Sequence, residues 1–134
     1  MYLNSLMENE KKLFLGMAYD LAFVDSNYSK EEQAIMEAYS HEMQCEFDIN
    51  TMVKSEDEII DEIKSNSTIR TKRIFVFELI GLAMVDGNYD ENERQLIQKM
   101  EVEFGLMKNF SKECEKVIAE YISFQERINS IVLG

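Results

Sequence analysis

Apolar residues in the first part of the chain recur every three or four positions, which is the spacing of one face of an α-helix. They are Leu6, Leu13, Phe14, Met17, Leu21 and Val24. The pattern predicts a first helix that ends near Val24. A second helix is predicted to begin after Ser29, and its inner face carries Ile35, Met36, Tyr39 and Met43.

The second half of the chain repeats this arrangement. Residues 74–85 are apolar on nearly all sides apart from Glu78, which predicts a helix that is buried on several sides. The next apolar set occupies the same register as the inner face of the second helix: Leu96, Ile97, Met100 and Phe104. The shared register indicates two related helical hairpins.

Two further helices complete the predicted fold. Ser55 with Glu58 caps a short helix that carries three isoleucines and ends near Ser67, and Ser111 begins a last helix. The predicted apolar stripe of that last helix is Val117, Ile118, Tyr121, Ile122, Gln125, Ile128, Ile131 and Val132. The sequence thus predicts an all-α fold in one domain, 1–134, as a bundle of about six helices with two pseudo-repeated hairpins.

Composition supports helices and limits the classes of partner. The chain has no proline and a formal net charge of −12. Such a surface repels phosphate backbones, so we expect no direct nucleic-acid binding, whereas cations or a basic protein partner suit it. The same charge could simply keep the protein soluble. The basic cluster Arg70, Lys72 and Arg73 is predicted to pair with the acidic run at 56–62.

No apolar run is long enough to span a bilayer, and the first residues do not resemble a signal peptide. We therefore expect a cytoplasmic protein without membrane insertion. Cys45 and Cys114 lie in no metal-binding spacing and are predicted to be free thiols, and His41 to be structural or on the surface.

A catalytic constellation is missing from the sequence, so we expect a protein that is not an enzyme. Glu78, a charge within an apolar helix, is the one feature that suggests catalysis, because a buried carboxylate can act as an acid or base. The alternative is that Glu78 lies at an exposed edge of the helix or pairs with an arginine.

A short pattern follows the first helix of each hairpin. It reads Val24-Asp25-Ser26-Asn27-Tyr28-Ser29-Lys30-Glu31-Glu32 and Val85-Asp86-Gly87-Asn88-Tyr89-Asp90-Glu91-Asn92-Glu93. Hard divalent cations such as Ca²⁺ prefer oxygen ligands of this kind. The candidate metal ligands are Asp25, Asn27, Ser29, Glu32, Asp86, Asn88, Asp90 and Glu93.

The pattern is not an EF-hand, because the sixth position is Lys30 or Glu91 instead of Gly and the twelfth is Met36 or Ile97 instead of Glu. Helix capping is the alternative to metal binding. Ser29 with Glu32, and Asp90 with Glu93, have the spacing of capping boxes. Tyr28 and Tyr89 would then be packing anchors between the helices.

The segment Leu82-Ala83-Met84-Val85-Asp86-Gly87-Asn88-Tyr89-Asp90-Glu91-Asn92-Glu93 resembles the signature of the TerB-like proteins of the tellurite-resistance family, and the earlier copy is similar. The resemblance covers 10–105 and departs from the family pattern at Val24, Val85 and Ser26. It implies an all-helical pseudo-symmetric bundle, a non-enzymatic role in stress response, divalent-metal binding and protein partners at the membrane. The matching positions are Asp25, Asn27, Glu32, Asp86, Asn88, Asp90 and Glu93.

Two functions follow as expectations. The first is a TerB-like acidic binding module that holds a divalent cation at the two turns and engages protein partners, with no other cofactor. The second is a metal-independent acidic interaction protein or inhibitor, which occupies a basic, nucleic-acid-binding surface of its partner.

Overall fold

Six α-helices and one short 3-10 helix make up most of the computed structural model, which describes residues 2–24, 30–46, 54–84 and 89–134, without the side chains of 22–24, 31–33 and 35. The 3-10 helix is Leu3–Ser5. The α-helices are α1, Glu8–Val24; α2, Lys30–Met43; α3, Glu56–Asn66; α4, Ile69–Met84; α5, Glu91–Glu103; and α6, Phe110–Leu133. The described residues contain no strand, so the predicted all-α bundle is confirmed. Within these residues, no helix is both long and apolar enough to cross a membrane.

Local side-chain chemistry sets the helix starts. Ser55 Oγ accepts the backbone N–H of Glu58 at 3.2 Å, so the predicted cap of α3 is confirmed. Thr68 Oγ1 accepts the backbone N–H of Thr71 at the start of α4. The predicted start of the last helix at Ser111 is one residue late, since α6 begins at Phe110.

The two halves bury equivalent positions when Asp25 is aligned with Asp86. In α1 the buried residues include Leu13, Phe14, Leu15, Met17, Ala18 and Leu21. The residues at the same positions in α4 are also buried: Ile74, Phe75, Val76, Glu78, Leu79 and Leu82. The first helices of the two hairpins therefore share a buried register, in which Glu78 occupies the position that Met17 has in the first half. The predicted register of the second helices is also buried at Met36, Met43, Ile97 and Phe104, whereas the side chain of Ile35 lies outside the described residues.

Helices α1 and α4 lie side by side and run in the same direction. Near their starts, Ser67 Oγ donates to Glu10 Oε2 at 2.7 Å. Further along, the rings of Phe14 and Phe75, which are equivalent in the two halves, meet edge to face with their centroids 5.5 Å apart. The two helices therefore end at the same end of the bundle.

Each of these central helices also packs against the second helix of its own hairpin. Phe14 contacts Tyr39 of α2 with ring centroids 5.3 Å apart, and Phe75 contacts Phe104 at 6.3 Å. Four aromatic rings from both hairpins thus form a continuous edge-to-face series through the core, an arrangement that aromatic quadrupoles favour.

The predicted pairing between the basic cluster and the acidic run is wrong. The run at 56–62 does not pair with Arg70, Lys72 or Arg73; Asp57 instead binds Lys99 and Glu62 binds Lys54. The stripe of α6 is largely uncovered: Ile118 is buried and Ile122 half-buried, but every residue from 123 onward is exposed. Helical periodicity identified an apolar face without showing that a neighbouring helix covers it.

Candidate functional site

The second of the repeated turns ends in a complete capping box. Asp90 Oδ1 accepts the backbone N–H of Glu93 at 2.9 Å, and Glu93 Oε1 accepts the backbone N–H of Asp90 at 3.3 Å. The Glu93 side chain is almost fully buried. The capping prediction is confirmed for this pair, and one oxygen of each carboxylate is already engaged by the backbone.

The other predicted ligands cannot be placed. Asp25, Asn27, Ser29, Asp86 and Asn88 lie outside the described residues, as does the side chain of Glu32. Among the residues that the structure does describe, no group of three or more histidine, cysteine, aspartate or glutamate side chains could hold a metal ion.

Tyr89 is a packing residue beside α5 and α6. Its partly buried ring packs against the core, and the guanidinium of Arg94 lies 4.4 Å from the ring centroid. Arg94 also forms an ion pair with Glu115 of α6. Burial and the neighbouring Glu115 carboxylate raise the pKa of Tyr89, so the phenol stays neutral and acts as a packing group. Tyr28 lies outside the described residues.

Asp20 is a site residue that the sequence did not reveal. It lies about one turn before the end of α1, and its Oδ2 atom is buried without a hydrogen-bond partner among the described residues. Burial and the nearby charge of Glu56 raise the pKa of Asp20 from 3.8 to about 6. Because α1 and α4 are parallel, this carboxylate lies at the end of the bundle where both helices stop.

An open groove of about 900 Å³ separates α4 from α6. Its apolar walls include Ile74, Phe77, Gly81, Val117, Ile118 and Ile122. Tyr2 and Tyr39 also line it, and the exposed Arg70 and Arg73 belong to its rim. Neither arginine forms an ion pair with a described residue. The volume is within the range of ligand-binding clefts in proteins.

Glu78 faces this groove and is not at an exposed edge of α4. Its side chain is 5% exposed, and Oε1 accepts the backbone N–H of Tyr2 at 2.9 Å. The phenol of Tyr39 donates to the backbone carbonyl of Glu78 at 3.3 Å, and burial raises the pKa of that phenol. Glu78 therefore ties the residues before α1 to α4, which is a structural use for the buried carboxyl group.

The cysteines and the histidine provide no reactive site. Cys45 and Cys114 are free and buried, as predicted, and burial raises the pKa of both thiols, to about 11 for Cys114. A raised pKa keeps a thiol protonated and poorly nucleophilic. His41 is exposed at the end of α2, which agrees with its predicted surface position.

Comparison of this chain with protein-family models, with curated proteins and with solved structures gives no match.

Sequence patterns could have revealed the groove but not the orphaned oxygen of Asp20. Gly81 is the one glycine in the apolar run at 74–85, and a missing side chain there leaves space beside α4. Asp20 looks like any polar residue near the end of an amphipathic helix. The approach of Glu56 on α3, which is distant in sequence, also raises the pKa of Asp20.

Proposed function

We propose that this chain is a non-enzymatic, acidic, TerB-like binding module that serves in a stress or tellurite-resistance response and engages a basic or membrane-associated protein partner. In this proposal it holds a divalent cation, of the Ca²⁺ class, at the end of the bundle where α1 and α4 stop. The observation that carries the cation site is the buried Asp20 oxygen without a partner.

Asp20 is a suitable cation ligand because its surroundings disfavour the ionised carboxylate when no cation is bound. Burial and Glu56 both raise its pKa, and neither supplies a donor to Oδ2. A divalent cation would supply the missing partner and favour the ionised carboxylate. Asp25 follows α1 directly in the sequence and Asp86 follows α4, so these residues are the proposed further ligands.

Calorimetric titration with Ca²⁺, Mg²⁺, Mn²⁺ and Zn²⁺ tests the cation site. We expect binding of at least one ion, weakened at least tenfold in Asp20→Asn and in Asp86→Asn. Asp61→Asn is the matched control, since Asp61 is an exposed aspartate of α3. An absence of both heat and any change in melting temperature at millimolar metal would contradict the cation site.

The second function, a metal-independent interaction protein or inhibitor, is favoured by a different observation. The capping box already engages Asp90 and Glu93, so these two carboxylates have a structural role without a metal. Three lysines, Lys54, Lys64 and Lys99, are paired with acids, which leaves the excess of carboxylates to face a basic partner.

Binding to a lysine- and arginine-rich peptide, measured by fluorescence anisotropy in EDTA, separates the two functions. The acidic inhibitor should bind this probe without metal, with an affinity that falls steeply as sodium chloride increases. Binding that persists at high salt would contradict a purely electrostatic decoy. Binding that appears only when a divalent cation is restored would favour the TerB-like module.

A further inference from the structure

The second half of α6 has the sequence of a packed helix but no neighbour among the described residues. Its apolar side chains recur at helical spacing on one face: Tyr121, Phe124, Ile128, Ile131 and Val132. Their exposed fractions run from 42% for Ile128 to 79% for Ile131. A single exposed apolar residue is ordinary, whereas a continuous stripe marks a contact surface.

The groove between α4 and α6 is the matching concave surface. It has apolar walls, such as Ile74, Phe77 and Ile118, and a volume of about 900 Å³. α6 forms one wall of the groove from Phe110 to Gln125, so Tyr121 belongs to that wall. Beyond Gln125 the same helix is exposed, so one surface carries both an unfilled groove and a helix face that no described residue covers.

We infer that a second copy of this chain covers this surface. The second half of α6 of each copy packs against the α4–α6 groove of the other copy. A two-fold dimer places the same patch of both copies in contact, so each copy must bring both complementary features. This surface has both a groove and an exposed apolar helix. A partner of another kind would have to bring both complementary features together.

Charge around the groove favours α6 as the occupant. Arg70 and Arg73 are exposed on its rim and form no ion pair with a described residue. Glu120 flanks the apolar stripe of α6 and is also exposed, whereas Glu126 lies on the opposite side of the helix. An incoming α6 therefore brings the Glu120 carboxylate toward a basic rim, although the chain as a whole is strongly acidic.

The exposed area is sufficient for a stable pair. The uncovered side chains of α6 present roughly 600 Å² of surface, at the upper end of the largest patches on monomers. The groove walls add further apolar area, and specific interfaces typically bury roughly 800 Å² per partner.

Sedimentation equilibrium in EDTA, between about 5 and about 200 µM protein, tests the dimer. We expect a monomer–dimer equilibrium that is weakened at least tenfold by Ile128→Asp on the helix and by Gly81→Leu in the groove. No heavy atom lies within 4 Å of a Cβ built at Gly81, so a side chain at this position starts in open space on the groove side of α4. Circular dichroism confirms that both variants remain folded.

Val102→Asp is the matched control. Val102 is 76% exposed but belongs to α5 and does not line the groove between α4 and α6. It should leave the equilibrium unchanged. A chain that stays monomeric throughout the concentration range overturns the proposal, and so does a dimer that neither Ile128→Asp nor Gly81→Leu weakens. A monomer that purifies with a small apolar ligand or another protein in the groove also overturns it. Because EDTA is present, none of these outcomes depends on the cation site.

Discussion

Asp90 and Asp20 illustrate how the surroundings decide what one type of residue does. Asp90 lies before α5, where its oxygen accepts a free backbone N–H of the helix. Asp20 lies near the end of α1, where the helix offers carbonyl groups instead of N–H donors, and its Oδ2 atom has no partner among the described residues. The first carboxylate stabilises the fold, whereas the second carries an electrostatic cost at neutral pH.

Loss of the Asp90 cap should destabilise the protein. Asp90→Ala removes the acceptor for the Glu93 N–H, and we expect the free energy of unfolding to fall by about 1 kcal/mol. Asp90→Asn keeps an acceptor and should cost only a few tenths of that. Urea denaturation measures both. Equal stability of Asp90→Ala and the wild type would contradict the structural role of the cap.

Asp20→Asn should stabilise the metal-free protein at neutral pH. The folded-state pKa of about 6 exceeds the ordinary value of 3.8, so Asp20 favours folding when protonated, and this contribution disappears as the pH rises through 6. With allowance for solvent screening, the variant should gain about 1–2 kcal/mol above pH 7. The two stability curves should converge below pH 4, and an offset that persists there would contradict the electrostatic origin.

Gly81→Ala should also stabilise the protein. Gly81 lies within α4, and a Cβ added there meets no atom within 4 Å. The substitution removes backbone freedom from the unfolded chain and should add about 0.5–1 kcal/mol to the free energy of unfolding. Thermal unfolding of both proteins measures the difference. Gly105→Ala is the contrast: the positive φ of 66° at Gly105 should make that change destabilising.

At the level of helices, the central pair α1 and α4 joins the two halves. Phe14 and Phe75 occupy equivalent positions, are fully buried, and contact one another. The buried charge of Glu78 at the Met17 position marks where the halves have diverged, because α4 borders the groove and anchors the residues before α1 through Tyr2.

Removal of these two rings should reveal their coupling. Phe14→Ala and Phe75→Ala should each lower the free energy of unfolding by about 3–5 kcal/mol. The double variant should lose about 0.5–1.5 kcal/mol less than the sum, because the edge-to-face contact is counted in both single changes. Chemical denaturation of the four proteins completes the cycle. Strict additivity would contradict direct contact between the halves at this point.

At the level of the whole molecule, a net charge of −12 opposes compaction. An increase in sodium chloride from about 0.05 to about 0.5 M should therefore raise the melting temperature by several degrees, because salt screens the repulsion between exposed carboxylates. Calcium chloride at matched ionic strength should raise it further if the proposed cation site forms. A melting temperature that falls with sodium chloride would show that attractive ion pairs dominate instead.

The sequence by itself determined the helices, the duplicated core register and the capping box at Asp90 and Glu93. Each of these depends on side chains that are close along the chain: periodic burial of residues such as Phe14 and Phe75, and hydrogen bonds between a cap and the third residue of its helix. Local chemistry of this kind is readable from spacing alone.

Tertiary structure alone decided which faces are covered and which charges meet. Periodicity gave α6 an apolar stripe, but only the arrangement of helices left the second half of α6 exposed. The arrangement of helices also paired Asp57 with Lys99 instead of with the basic cluster at 70–73. It buried one oxygen of Asp20 without a hydrogen-bond partner among the described residues. These outcomes depend on the approach of residues that are distant in sequence, which the order of amino acids does not specify locally.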